Sequence, residues 1–191
     1  MSSMKILVIA NRGQYNHRIY RTLKYLGTDA QLVQNSISVD DVAKENPAGI
    51  VIGGGPHLNE IGNSSSIVEG LFKELPILGI CLGHQLIAKL FGGEVKTADV
   101  GGYADCEITV DEEDEILKGV GPSFNAWVSH KDEVSRIPED FLRLAHSENC
   151  EVEAMVHKNF PLYSVQFHPE VEHAPKGPEI FKNFIRIIKT V

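Results

Sequence analysis

One cysteine, Cys81, lies in a sequence context suited to nucleophilic chemistry. It is the central residue of Gly79-Ile80-Cys81-Leu82-Gly83, which begins in the apolar run Ile77–Ile80 and leads into a helix-forming sequence. A buried strand, a sharp turn and a helix in this order form a nucleophile elbow, and flanking glycines let such a turn close. The N–H groups at the start of the helix would favour a thiolate over a thiol. We therefore predict a cysteine nucleophile; the simpler alternative is a small buried apolar residue.

A base for this nucleophile is predicted in the segment Val165–Glu170, whose sequence is VQFHPE. Residues two apart in an extended chain point the same way, so His168 and Glu170 can face one site. Pro169 favours this geometry because it biases the preceding residue towards an extended backbone. A carboxylate beside an imidazole fixes its tautomer and stabilises its charged form. Cys81, His168 and Glu170 thus form a candidate triad, although each of the last two could be an ordinary surface residue.

A glycine-rich segment, Gly53-Gly54-Gly55-Pro56, follows the apolar run that begins at Ile50. Ligands bind at the carboxyl ends of strands in open α/β sheets. No Lys and Ser/Thr pair follows the glycines, so they do not form a phosphate-binding P-loop. Their N–H groups, with those after Cys81, could stabilise an oxyanion during acyl transfer. The alternative is a flexible loop without a function.

Metal binding is the main rival chemistry, because Cys81 and His84 are three residues apart and His168 and His173 are five apart. Pro169 prevents the two histidines from sharing one continuous helix. The Cys–His pair also lacks the second pair that structural zinc sites contain. We expect no metal site in this chain.

The elements that must position these residues follow an α/β pattern in the first half of the chain. Short apolar runs, typical of buried parallel strands, occur at Lys5–Ala10, Ala30–Val33, Ile50–Gly53 and Ile77–Ile80. Helical spacing of apolar residues lies between these runs, from Ile19 to Leu26 and from Ile67 to Leu75, while Gly53 to Ser66 indicates a loop.

In the second half of the chain the pattern changes from alternating strands and helices to strands alone, followed by one final helix. Strand-like segments without long helices between them are Tyr103–Val110, Phe124–Val128, Phe141–Ala145, Ala154–Val156 and Leu162–Phe167. An apolar stripe from Ile180 to Ile188 then predicts a helix that packs on the sheet. We predict a single domain over residues 1–191: α/β, with a mostly parallel central sheet flanked by helices and a small antiparallel annex.

The composition of the chain argues against several classes of partner and of protein. The chain has 26 acidic and 18 basic residues and a net charge of −8, which disfavours nucleic acid and anionic membranes as partners. No apolar run approaches the ~20 residues of a transmembrane helix, and the first ten residues lack a secretory pattern. Cys81, Cys106 and Cys150 do not look like a disulfide framework, and packing is the expected role of the last two. We expect a cytoplasmic protein.

The motifs GGGP, GICLGHQ and VQFHPE, in this order, resemble those of the class I (triad-type) glutamine amidotransferases, and the resemblance covers nearly the whole chain. Within this family, the segments GYADCEITV (Gly102–Val110), AWVSHKDEV (Ala126–Val134) and QFHPEVEH are most similar to the separate glutamine amidotransferase subunits of GMP synthases. One departure is Asn11-Arg12-Gly13-Gln14, where family members often have Asp-x-Gly-Gln.

The resemblance implies that Cys81 attacks the side-chain amide of glutamine, that His168 relays a proton to the leaving ammonia and that Glu170 orients the imidazole. It further implies oxyanion N–H groups from Gly55 and Leu82, and substrate contacts from Gly54, Gln85, Ser129 and His130. His130 and Lys131 could instead face a partner protein or form an exposed turn.

The resemblance also implies a partner, an ATP pyrophosphatase (synthetase) subunit that uses ATP and magnesium to aminate XMP to GMP with the released ammonia. This chain itself would then carry no cofactor, and glutamine would be its substrate. The alternatives are the amidotransferase subunit of anthranilate or aminodeoxychorismate synthase, a cysteine peptidase on a related scaffold, and a non-catalytic regulatory binding module on the same fold.

Overall fold

Nine strands form one continuous mixed sheet in the computed structural model, which describes residues 4–191 and the side chains of all of these except residues 99–103. In chain order the strands are β1 Lys5–Ala10, β2 Asp29–Gln34, β3 Gly49–Ile52, β4 Ile77–Ile80, β5 Glu94–Val110, β6 Ser123–Arg136, β7 Phe141–His146, β8 Ala154–His157 and β9 Leu162–Val165. Their order across the sheet is β2-β1-β3-β4-β9-β8-β7-β5-β6. The predicted α/β class, a parallel central sheet with an antiparallel part, is confirmed.

The helices of the described residues flank this sheet. They are α1 Asn16–Tyr25, α2 Val39–Lys44, α3 Ser64–Leu71, α4 Leu82–Leu90 and α5 Gly177–Thr190. Helix α2 was not predicted, because six residues are too few to show a helical period; the Ser38 side chain caps it by accepting from the Asp41 N–H at 3.1 Å. Helix α3 begins at Ser64, inside the segment predicted as a loop. Within residues 4–191 we find no helix that is both long and apolar enough to cross a membrane.

The parallel half of the sheet places three strand ends side by side. Strand β1 pairs in parallel with β2 and β3, and β4 pairs in parallel with β3 and β9. Every residue of β3 and β4 is buried, as expected for strands covered on both faces. The carboxyl ends of β1, β3 and β4 therefore bring Asn11, Gly53 and Cys81 to one edge of the sheet.

Strand β9 joins the two halves of the sheet. It is parallel to β4 on one side and antiparallel to β8 on the other. The sequence pattern placed Leu162–Phe167 with the antiparallel strands alone, because a buried apolar run does not reveal which strands lie beside it. Strand β6 is also longer than predicted: it extends past Val128 to Arg136 and so carries Ser129 and His130. These residues thereby reach the edge where β4 ends.

Candidate active site

Cys81 lies at a strained turn between β4 and α4. Its φ of 54° and ψ of −104° place a non-glycine residue in the positive-φ region, which costs conformational energy. A Cβ atom at Gly79 would lie 2.6 Å from the side chain of Ile87, and one at Gly83 would overlap the carbonyl oxygen of Ile52. Both glycines are therefore required by close packing, and the turn has the form of the predicted elbow.

The imidazole of His168 and the carboxylate of Glu170 form a buried pair. His168 Nδ1 lies 2.8 Å from Glu170 Oε1, and the two side chains are 5% and 0% exposed. The His168 N–H donates to the Trp127 carbonyl at 2.8 Å, which attaches this segment to β6. The ring of Tyr15 meets the imidazole edge-on, with 4.8 Å between centroids. The imidazole is thus fixed by a carboxylate, a main-chain contact and an aromatic ring.

Gly54 lies against both the cysteine and the histidine. A Cβ atom at Gly54 would be 3.6 Å from His168 Cε1 and 3.7 Å from Cys81 Cβ. The Cys81 sulfur lies 3.8 Å from the Ser129 carbonyl oxygen. The carboxyl ends of β3, β4 and β9 therefore bring the glycine loop, the sulfur and the imidazole into one site.

The electrostatics of the site favour a charged imidazole. Burial by itself would lower the pKa of His168, but the charge of Glu170 and hydrogen bonds to Cys81 and Glu170 together raise it well above its ordinary value. An imidazolium next to a cysteine stabilises the thiolate form, which is the reactive nucleophile. The arrangement can therefore hold a thiolate–imidazolium pair and deliver a proton to a leaving group.

Gly55 and Leu82 lie together beside the elbow. A Cβ atom at Gly55 would overlap the carbonyl oxygen of Asn11 and lie 2.7 Å from Leu82 Cδ2. Leu82 is the first residue of α4, where N–H groups have no acceptor within the helix. Both residues line the same cavity as Cys81. Their positions are compatible with donation of two N–H groups to an oxyanion.

A cavity of about 310 Å³ opens over the sulfur, large enough for a small ligand. The predicted site residues that line it are Gly54, Gly55, Cys81, Leu82, Gln85, Ser129, His130 and His168. Glu170 stands behind them, in contact with His168. The residues that the sequence interpretation did not include in the site are Arg12, Gly13, Gln14, Tyr15, Pro56, Lys131 and Asp132.

Gln85 and His130 are held by one main-chain carbonyl. The Gln85 amide nitrogen donates to the Asp132 carbonyl at 2.6 Å and to Gln166 Oε1 at 3.1 Å. His130 Nδ1 donates to the same Asp132 carbonyl at 3.1 Å. Burial lowers the pKa of His130, and the nearby charge of His168 lowers it further, against the hydrogen bond to Asp132. His130 is therefore a neutral side chain at the wall of the cavity.

Buried asparagines behind the glycine loop were not found from the sequence. Asn11 donates from Nδ2 to the Gly53 carbonyl at 3.1 Å, and its Oδ1 accepts from Asn35 Nδ2 at 3.2 Å and from Ser64 Oγ at 2.8 Å. Asn16 donates from Nδ2 to the Gly54 carbonyl at 3.0 Å. Asparagine is common in loops, so its type alone gives no signal. Their position in the chain was the available signal. Asn11 and Asn35 directly follow β1 and β2, and the carboxyl ends of these two adjacent strands lie side by side.

The histidine of the rival Cys–His metal pair points away from the sulfur. His84 is fully buried, with Nδ1 2.8 Å from Ser164 Oγ and Nε2 3.0 Å from the Val152 carbonyl. Burial lowers the pKa of His84 to about 3, against the hydrogen bond to Val152. Both ring nitrogens of His84 are thus occupied by hydrogen bonds within the core.

One set of potential metal ligands is present among the side chains that the structure describes. His130, Cys150 and Glu153 are buried and bring one ligand atom each within 4.8 Å of the others. Glu153 Oε1 already accepts from Ser147 Oγ at 2.8 Å, and the Cys150 thiol contacts the Val152 carbonyl at 3.6 Å. Burial raises the pKa of the Cys150 thiol, which disfavours the thiolate that a metal requires.

Comparison with known proteins agrees with this architecture. The family model for glutamine amidotransferase class-I matches residues 7–188. The chain is 50% identical to a protein of Methanosphaera stadtmanae that is named as a subunit of glutamine-hydrolyzing GMP synthase, over 96% of this chain and 98% of that protein. It is 48% identical to the protein of the same name from Archaeoglobus fulgidus, over 97% of this chain and 100% of that protein.

A solved structure shows the same fold. It is the crystal structure of a protein from Thermoplasma acidophilum, provisionally named as a GMP synthase subunit, which is 35% identical in sequence. The two superpose with a TM-score of 0.93, covering 100% of this chain and 96% of the other. The strained elbow, the glycine loop and the match along residues 7–188 lead to one conclusion: the chain belongs to the class-I glutamine amidotransferase family.

Proposed function

We propose that this chain is the glutaminase subunit of a two-subunit GMP synthase and that Cys81, His168 and Glu170 carry out its chemistry. The observation that supports this most directly is the juxtaposition of a strained cysteine elbow with the buried His168–Glu170 pair at the floor of a cavity. Relatives that match over nearly their whole length are named glutamine-hydrolysing subunits of GMP synthase.

In the first half-reaction, the Cys81 thiolate attacks the side-chain amide carbon of glutamine and forms a C–S bond. The carbonyl oxygen becomes an oxyanion, which the N–H groups of Gly55 and Leu82 stabilise. His168 then gives its proton to the amide nitrogen, the C–N bond breaks, and ammonia leaves. The product on the enzyme is a glutamyl thioester.

In the second half-reaction, His168 takes a proton from water as the water oxygen attacks the thioester carbon. The C–S bond then breaks, glutamate leaves, and the thiolate–imidazolium pair is restored. Glu170 remains charged throughout and stabilises the imidazolium, since Nδ1 already faces its carboxylate at 2.8 Å. This pairing keeps Nε2 as the nitrogen that exchanges protons with the reacting groups.

Binding of glutamine is assigned to the walls of the cavity. The cavity is lined by Gln85 from α4 and by Ser129 and His130 from β6. Gly54, which has no side chain, leaves space beside the sulfur. Because His130 is neutral, it can offer its remaining nitrogen to the amino acid end of the substrate without adding charge.

The ammonia is consumed, in this proposal, by a separate ATP pyrophosphatase subunit in the cytoplasm that aminates XMP to GMP. ATP and magnesium bind to that subunit, and no cofactor is assigned to this chain. The subunit names of the relatives support such a division of labour. An amidotransferase of this kind avoids wasting glutamine if its activity rises when the loaded partner docks.

The test measures glutamate release by the purified chain with and without the synthetase subunit, ATP and XMP. We expect the loaded partner to stimulate wild-type turnover and Cys81→Ala to abolish it. The matched control is Cys106→Ala, which removes a half-buried cysteine that does not line the cavity and should retain full activity. Turnover by Cys81→Ala would overturn the mechanism, and a wild-type rate that ignores the partner would overturn the coupling.

A further inference from the structure

We propose that Asn16 is a positioning residue for the oxyanion hole, because it holds the carbonyl of Gly54 so that the N–H of Gly55 faces the substrate. This inference rests on the proposed function. The Gly54 carbonyl accepts two hydrogen bonds, one from Asn16 Nδ2 at 3.0 Å and one from the Gly13 N–H at 3.1 Å.

The carbonyl of Gly54 and the N–H of Gly55 belong to one peptide unit. In a planar trans peptide these two groups point in opposite directions. Asn16 is 4% exposed and does not line the cavity, whereas Gly54 and Gly55 both do. A carbonyl that is held towards Asn16 therefore turns the N–H of Gly55 towards the cavity that contains Cys81.

This peptide needs an external restraint because glycines flank it on both sides. Glycine adopts positive and negative φ with similar ease, so a Gly-Gly peptide can rotate at little cost. After such a rotation the Gly54 carbonyl would face the site, and its partial negative charge would repel an oxyanion. The hydrogen bonds that the Gly54 carbonyl accepts from Asn16 and from the Gly13 N–H oppose that rotation.

The packing behind the loop is specific for the Asn16 side chain. A Cβ atom at Gly53 would overlap Asn16 Oδ1, so the amide lies directly on the glycine backbone. The preceding carbonyl, that of Gly53, is held in the same way by Asn11 Nδ2 at 3.1 Å. Two consecutive carbonyls are thus fixed by buried amides, and Asn16 is the one that acts on the peptide that supplies the oxyanion donor.

The test compares Asn16→Ala and Asn16→Asp with the wild type in the presence of the loaded synthetase. Removal of an oxyanion donor typically lowers kcat about 10²- to 10³-fold. Because the Gly13 N–H still holds the carbonyl, we expect a smaller loss, a decrease in kcat of about 10- to 100-fold with KM within about threefold. Aspartate has the same shape as asparagine but cannot donate, so it should be at least as impaired as alanine.

A second measurement separates positioning from general damage. Alkylation of Cys81 by iodoacetamide needs the thiolate but forms no oxyanion, so its rate should stay within about twofold of wild type in both variants. The matched control is Asn183→Ala, which removes another buried asparagine that donates to two main-chain carbonyls, those of Ile116 and Lys118. This control should leave kcat unchanged.

The outcomes are distinct from those that test the proposed function. If the wild type and its partner release no glutamate, the proposed function fails. If the wild type is active and Asn16→Ala keeps kcat within threefold, or loses kcat and alkylation rate to the same extent, only the role of Asn16 is overturned. Should Asn16→Ala not fold, Asn16→Asp and Asn16→Ser decide the question in the same two assays, with serine expected to retain part of the rate because its hydroxyl can donate.

Discussion

The buried carboxyl of Glu153 should make this protein less stable as the pH rises from 5 to 8. Burial raises the pKa of Glu153 to about 7 from an ordinary value of 4.5; the hydrogen bond from Ser147 opposes this and the charge of Glu133 adds to it. Glu153 is fully buried, and its Oε2 atom has no partner among the described residues. The folded protein therefore keeps a proton on Glu153 that the unfolded chain has released.

The sign and size of the effect follow from linkage. Stability from this site is fully present below pH 4.5, where both states are protonated, and is lost as the pH rises through about 7. The difference between 4.5 and about 7, at about 1.4 kcal/mol per pH unit, corresponds to about 3 kcal/mol at pH 8. Most of this loss, about 2 to 3 kcal/mol, falls between pH 5 and pH 8.

The variant Glu153→Gln cannot ionise and should lack this loss. The glutamine amide oxygen can still accept the hydrogen bond from Ser147. Burying the amide nitrogen without a partner would lower the stability by the same amount at every pH. Urea unfolding followed by the fluorescence of Trp127, the only tryptophan, gives the free energy of unfolding at pH 5, 6, 7 and 8. The difference in stability between variant and wild type should grow by about 2 to 3 kcal/mol in favour of the variant across this range.

The control is Glu151→Gln, on the same loop but exposed, whose stability curve should run parallel to that of the wild type. If the Glu153→Gln curve also runs parallel to the wild type, Glu153 is ionised in the folded protein at pH 5 and the reasoning from burial is refuted.

Two further predictions concern the site itself. Glu170→Gln removes the charge that helps to keep a proton on His168, so the pKa of His168 should fall and glutamate release at pH 7 should drop about 100-fold or more. The control is Glu172→Gln, which changes an exposed side chain and should match the wild type in a pH–rate profile. Unchanged activity in Glu170→Gln would contradict the proposed triad. Gly83→Ala places a methyl group against the Ile52 carbonyl, so thermal unfolding should show a loss of about 1–3 kcal/mol, and an unchanged midpoint would show that the elbow tolerates a side chain.

Much of the fold could be predicted from the sequence, because buried parallel strands give continuous apolar runs. The four runs that end at Ala10, Val33, Gly53 and Ile80 match β1 to β4 to within one residue at each end. The stripe from Ile180 to Ile188 likewise lies within α5. What these patterns could not give was the neighbour of each strand, since pairing depends on the whole sheet and not on the local period.

The site could be predicted where chemistry and local geometry coincide. Cys81 was found because an elbow needs glycines on both sides, and His168 with Glu170 because an extended segment aligns alternate residues. The roles of these residues stay predictions until variants are assayed. Asn11 and Asn16 were missed because their effect is exerted through main-chain carbonyls of the glycine loop, and only the three-dimensional structure shows where a carbonyl points.

The central position of β9 has a consequence for synthesis of the chain. Strand β4 ends just before Cys81, and its neighbour β9, which ends shortly before His168, is translated only after β5 to β8. Until β9 arrives, the apolar edge of β4 has no partner on that side and is open to association with other chains. We expect the nascent protein to need protection at this edge, and it cannot place its imidazole beside the sulfur before β5 to β9 and His168 have left the ribosome.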